Sequence, residues 1–239
     1  ATDANTARTF ASRLIDSNKV VAVLGPSTTG ITLAVAPVFE DARIPMVSMA
    51  AGIEIVEPVR SYVFKTPHTD RMVCLKNIAD IKSRGFKRLA MINGTDGAGK
   101  TLRTECTAAA KAAGLEIVAD ETFNPTDGDM TPQLTKIKNP PGVDALLVGG
   151  FGQALALVTR NYGQLGMTVP LYHAHGAASN AFIKLAGNAS EGVRLVAPLL
   201  VVGAQLPESD PTRKVVMDYD KTIREITGAE ASTFGGYSY

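Results

Sequence analysis

Cysteine is scarce in this sequence: Cys74 and Cys106 are the only two, too few for a disulfide framework and without the spacing of metal ligands. Charge of one sign is missing as well. The 24 Lys and Arg offset 23 Asp and Glu for a net +1, and no long run of either sign occurs. That distribution excludes the electrostatic footprint of a nucleic-acid binder. No apolar stretch approaches the roughly 18 to 20 residues that span a bilayer. The N-terminus also lacks a basic region followed by an apolar one, so any export signal is expected to be gone already. What is present is apolar material at 45% against 20% charged residues, enough for a sizeable core and too much for a disordered chain.

Periodicity then divides the chain. Ala7, Phe10, Ala11, Leu14 and Ile15 repeat with helical spacing, and Val20 to Leu24 form a continuous apolar run ending in Gly-Pro, which predicts a helix followed by a buried strand. Helices are expected over 29–41, 70–83, 100–113, 131–138 and 153–165. Strands are expected over 45–48, 62–64, 89–92, 116–119, 145–148 and 170–172. This alternation specifies parallel sheets covered by helices on both faces. Cys74 shares a helical face with Ile78 and Ile81, and Cys106 with Ala109, Ala110 and Ala113. Buried thiols are the plainer expectation, with a bridge between them left open.

An internal echo sharpens the architecture. Val20–Gly25 is matched by Ala145–Gly150, and Ile44–Val47 by Val169–Tyr172. Gly25 and Pro45 precede Gly150 and Pro170 by 125 positions each, so a strand-helix-strand unit recurs in register and a similar α/β lobe is expected twice. Ligands of such sheets bind beyond the carboxyl ends of the strands, which directs attention to the segments after Leu24, Val47, Val148 and Tyr172.

Gly94–Thr101 matches the phosphate-loop pattern G-x-x-x-x-G-K-[ST] and lies between a strand and a helix. A nucleotide enzyme is therefore the competing function, although the apolar strand over 143–150 ends in glycines where a magnesium-binding acid belongs. Ser27, Thr28 and Thr29 stand at a strand end before a helix. Hydroxyls there cap helix amides, and the same terminus can receive a carboxylate. His173 and His175 are two apart and would face one side of an extended segment. Without a third ligand they make no metal site, His68 lying in a different context. By the echo, His175 corresponds to Ala50 at a strand edge. No nucleophile arrangement or pair of catalytic carboxylates is found, so no catalytic residue is assigned.

The segments Leu24-Gly25-Pro26-Ser27-Thr28-Thr29-Gly30, Ile44–Ala51 and Gly187–Gly192, with Phe64-Lys65-Thr66 and the stretch from Ser232 to Tyr239, resemble the periplasmic branched-chain amino acid binding protein family. These are the type I extracytoplasmic solute-binding receptors of ABC transporters. The resemblance implies two similar doubly wound parallel-sheet lobes, the first from residues 1–66 and 198–239 and incomplete in this chain, the second from 67–197. An incomplete sheet is expected to expose apolar edges. It further implies a periplasmic or membrane-anchored receptor, no cofactor, a membrane permease as partner and a small carboxylate as ligand. The carboxylate-gripping hydroxyl falls on Thr29 and the family's backbone contacts on Ala50 and Ala51. Gly52 stands where a gripping Thr or Ser is common, and Ala98 where an aromatic is common. His175 replaces an acid that meets the α-ammonium of an amino acid. An organic acid, aromatic or 2-oxo, is expected in preference to an amino acid, with Phe151 packing on it and Gly152 beside it. The phosphate-loop match falls on a turn where the family carries Tyr-Gly-x-Gly, which makes coincidence its explanation.

Overall fold

The computed structural model describes residues 3–239 and contains two parallel sheets. Helix α1 (Ala4–Asp16) starts where the Asp3 carboxylate accepts from the Thr6 amide at 2.8 Å. Ala7 and Ala11 point inward from it to meet Val35, Ala36 and Phe39 of α2 (Thr29–Ala42). Strand β1 (Val23–Leu24) pairs with β2 (Met46–Ser48), which pairs with β3 (Val63–Lys65). Met46 and Val63 close this first core beneath α2.

The second sheet has the order β5-β4-β6-β7-β8, from β4 (Arg88–Gly94), β5 (Glu116–Phe123), β6 (Ala145–Gly149), β7 (Leu171–His173) and β8 (Arg194–Leu195). Alternation along β4 splits its side chains between two cores. Leu89 and Met91 pack with α3 (Asp70–Ser83) and α4 (Gly97–Ala112), whereas Ala90 and Ile92 pack with α5 (Thr131–Lys138), α6 (Gln153–Gln164) and α7 (Asn180–Ala186). Such two-sided burial is why β4 and β6 are near-continuous apolar runs. From β4 the chain moves to β5 on one side, then returns to β6 on the other, so a crevice opens where the order reverses. Helices α8 (Arg213–Thr227) and α9 (Thr233–Gly236) follow, tied back by the Thr66 hydroxyl on Tyr237 O at 2.6 Å and the Thr233 hydroxyl on Ala178 O at 3.0 Å.

The expected alternation is present, with α4 beginning three residues earlier and β5 ending four residues later than periodicity suggested. The run at 20–24 departs from expectation. Only Val23 and Leu24 are strand, and Val21 and Leu24 are 86% and 75% exposed, because β1 is a sheet edge rather than a covered strand. The echo is topological: β1-β2-β3 and β6-β7-β8 are laid down in the same order. Their registers differ by two residues, since Val23 pairs with Met46 but Val148 pairs with His173 and not Leu171.

The cysteines need a correction. Both are buried, as their helical faces required, but they are not thiols: Cys74 of α3 and Cys106 of α4 form a disulfide across a Cα separation of 4.7 Å. Helical periodicity gives the inward face of each helix and says nothing of which helices meet.

Candidate functional site

Residues following β1, β2, β4, β6 and β7 converge on one cavity of about 470 Å³, between the carboxyl ends of the two sheets. At one wall of it backbone meets backbone. A Cβ added to Gly97 would lie 2.6 Å from Gly30 N, so the starts of α2 and α4 approach with nothing between them.

The two helix starts differ in what their amides do. At α4 the Asp96 carboxylate accepts from Gly99 N at 2.9 Å, and the Thr101 hydroxyl lies 3.0 Å from Gly97 O and 3.0 and 3.1 Å from the Glu54 oxygens. A Cβ on Gly99 would lie 2.1 Å from Gly94 O, so this glycine serves a tight turn. The phosphate-loop pattern thus has its cradle filled by its own acid, with a carboxylate where a phosphate would have to sit. At α2 the cap residue Thr28 makes no side-chain hydrogen bond, leaving the amide end open to the cavity. Beside it Thr29 is 2% exposed, and its hydroxyl oxygen accepts from Gly52 N at 3.2 Å, which leaves the hydroxyl hydrogen free to donate into the cavity. An anion is favoured at α2 and disfavoured at α4.

Seven of the ten residues singled out from the sequence line this cavity: Ser27, Thr28, Thr29, Ala51, Ala98, Phe151 and His175. The other three do not. Ala50 is buried with its amide on the Ser48 hydroxyl at 3.0 Å. Gly52 backs Thr29, whose methyl a Cβ would meet at 2.3 Å, and Gly152 caps α6 at a φ of +80°. Phe151 packs edge-on against Phe234 at 5.1 Å, and Phe234 in turn against Tyr237 at 6.1 Å, giving the cavity an aromatic end. The paired histidines part company. The His173 ring meets the Thr159 hydroxyl at 2.9 Å and Phe182 at 5.1 Å, while the 3-10 turn His175–Ala177 carries His175 to the cavity. Among the described residues no group of three or more His, Cys, Asp or Glu could hold a metal ion.

Sequence reasoning missed Asp70, Asp96, Phe234 and Tyr237, all of which line the cavity. Asp70 matters most, because it sets a carboxylate 3.9 Å from His175 Nε2. The pair is not ionic. Burial drives His175 down to about 4, and burial followed by the nearby Glu54 drives Asp70 up to about 7, so loss of hydration outweighs their attraction. The position of His175 therefore does not leave the cavity without an acid, as the sequence suggested; the acid enters from the start of α3.

A family model described as a periplasmic binding protein matches residues 1–239. The chain is 26% identical over 211 residues to a leucine-, isoleucine-, valine-, threonine- and alanine-binding protein of Pseudomonas aeruginosa, covering 84% of this chain and 54% of that one. It is 26% identical to a Leu/Ile/Val-binding protein of Rhizobium johnstonii, covering 93% and 60%. Among solved structures, an extracellular ligand-binding receptor of Rhodopseudomonas palustris HaA2 superimposes with a TM-score of 0.89 at 28% identity, over 99% of this chain and 66% of that one. The chain thus spans a little over half the length of these curated relatives.

Proposed function

The chain belongs to the periplasmic binding protein family, and from that premise we propose that it is the receptor of an ABC transporter. It takes up a small carboxylate outside the cytoplasm, holds it between two lobes and delivers it to the membrane permease. Residues 1–66 with 198–239 form one lobe and 67–197 the other. The observation that carries this reading is the contrast between the two helix starts on the cavity: α4 is closed by Asp96, and α2 is open beside the free hydroxyl hydrogen of Thr29. A carboxylate seated there gains backbone amides, a helix dipole and one hydroxyl donor. The aromatic end at Phe151 and Phe234 suits the ligand's apolar remainder, aliphatic or aromatic. The names of the relatives put amino acids among the candidates. Oxidation of Cys74 and Cys106 accords with a periplasmic site of action, where disulfides persist. Nothing in this reading breaks a covalent bond.

The test is a thermal-shift screen of small carboxylates against magnesium nucleotides. A carboxylate at a hundred times its Kd should add about 2.7 kcal/mol of stability. Thr29→Val, which keeps the shape and removes the donor, should weaken that ligand about tenfold. Stabilisation by Mg-ATP that disappears in Lys100→Ala would overturn the receptor reading in favour of the nucleotide one.

A further inference from the structure

Thr32 and Ser48 are both 0% exposed, and neither lines the cavity. Burying a hydroxyl is costly unless it is hydrogen-bonded, and these two meet that condition through each other, with their oxygens 2.8 Å apart. The single hydrogen of the Ser48 hydroxyl goes to Pro26 O at 3.1 Å. Its oxygen is then left to accept, from the Thr32 hydroxyl and from Ala50 N at 3.0 Å. Ser48 thereby makes every hydrogen bond open to it, and it makes them to three separate segments: the turn after β1, helix α2, and the turn after β2. Met49 N adds a second bond to Pro26 O at 2.9 Å, so the two turns are tied twice.

Those segments carry the groups that face a carboxylate. Pro26 leads into Ser27 and Thr28. Thr32 lies one turn beyond the open start of α2, its amide on Thr28 O at 2.9 Å. Ala50 leads to Gly52, whose amide occupies the Thr29 oxygen at 3.2 Å. The bonds close a ring that runs from Thr32 through Ser48 and residues 50–52 to Thr29, and returns along α2. Because Gly52 N fixes one side of the Thr29 oxygen, the ring sets the direction in which the Thr29 hydrogen points.

We propose that Ser48 and Thr32 are positioning residues for the ligand's carboxylate: neither touches it, and together they hold the Thr29 hydroxyl and the α2 amides at the angle that receives it. The proposal rests on the carboxylate reading above and adds what keeps the grip in shape. Their action passes through Thr29, so removing Ser48 should matter less once the Thr29 hydroxyl is gone.

The experiment is calorimetric titration of the full-length protein with leucine, phenylalanine, 4-methylpentanoate and 3-phenylpropanoate, which share a carboxylate and differ in the rest. Ser48→Ala and Thr32→Val should each weaken binding about tenfold, by the same factor for every probe that binds. Thr32→Ser, which restores the hydroxyl, should bind within about threefold of wild type. Thr29→Val combined with Ser48→Ala should lose no more than about thirtyfold, where independent sites would lose about a hundredfold. Thr32→Val in the same combination gives the answer should Ser48→Ala not fold. Losses that multiply as for independent sites, or a Thr32→Ser protein as weak as Thr32→Val, would reduce the pair to a merely structural role and leave the carboxylate grip standing. A wild type that binds none of the four, or a Thr29→Val protein that binds them undiminished, would overturn the grip and the positioning role together.

Discussion

Asp70 and His175 respond to burial in opposite directions, and the sign of each has a measurable consequence for stability. The carboxyl of Asp70 rises from 3.8 to about 7 on folding, so the folded chain holds that proton more tightly than the unfolded one. Its contribution is most favourable below pH 4 and is lost as pH rises towards 7. His173 and His175 act with the other sign. Burial lowers them from 6.5 to about 3 and about 4, so they cost stability as pH falls below 6.5. Comparing wild type with Asp70→Asn cancels the histidine contribution. Urea unfolding without ligand should find the variant similar at pH 4 and more stable at pH 8 by roughly 1 to 3 kcal/mol. A wild type that instead gains on the variant as pH rises would mean the carboxylate has a partner in the free protein. The sequence concealed this residue for a plain reason: Thr-Asp at positions 69 and 70 is an ordinary helix start. Only the return of β7 beside α3 makes Asp70 more than that. Thr29 was legible because its chemistry and its place at a strand end coincide in sequence.

At the scale of elements, periodicity located α1 to α6 because each buries a stripe of side chains, and it left α7, α8 and α9 unassigned, α8 burying only Tyr219. It failed at β1, where exposure of Val21 and Leu24 depends on the absence of a neighbour among the described residues. It also left the cysteine bond undecided, since the union of α3 with α4 is a property of neither helix. Besides their shared apolar core, a salt bridge and a disulfide join those helices. The Arg71–Glu105 pair at 2.7 Å has an arginine side chain 45% exposed, which confines its contribution to about 1 kcal/mol or less. The Cys74–Cys106 bond closes a separation of 32 residues, for which loop entropy gives about 3 to 4 kcal/mol. The double replacement Cys74→Ala with Cys106→Ala should therefore lower unfolding free energy by roughly that amount in denaturant titrations. Arg71→Ala should cost less than about 1 kcal/mol. Reversal of that order would show that the bridge does little to restrain the unfolded chain.

For the whole molecule, the contact between Gly30 and Gly97 fixes how near the two sheets come across the cavity. Gly97→Ala improves helix propensity in α4 by up to about 1 kcal/mol but sets a methyl 2.6 Å from Gly30 N. Ligand affinity should fall about tenfold or more in calorimetry, and thermal stability of the free protein should fall as well, because a methyl set against backbone forces the two helix starts apart. Gly30→Ala, whose Cβ would meet Gly97 at 3.8 Å, should leave affinity within about threefold. Equal effects of the two would mean that the lobes do not close on this contact. The two-lobed plan was visible in the echo at 125 residues because both strand pairs repeat their apolar runs and their Gly and Pro punctuation. The slide between the pairs was not, since register is set by packing. That slide of two residues, about 6.6 Å along a strand, keeps every side chain on its own face while breaking the likeness of the halves. Two faithful copies would present a guest with the same surface twice and accept it either way round. Here one end is amide and hydroxyl and the other is aromatic, so the cavity has a head and a tail, and on the proposed reading a small molecule with unlike ends should lie in it in one sense.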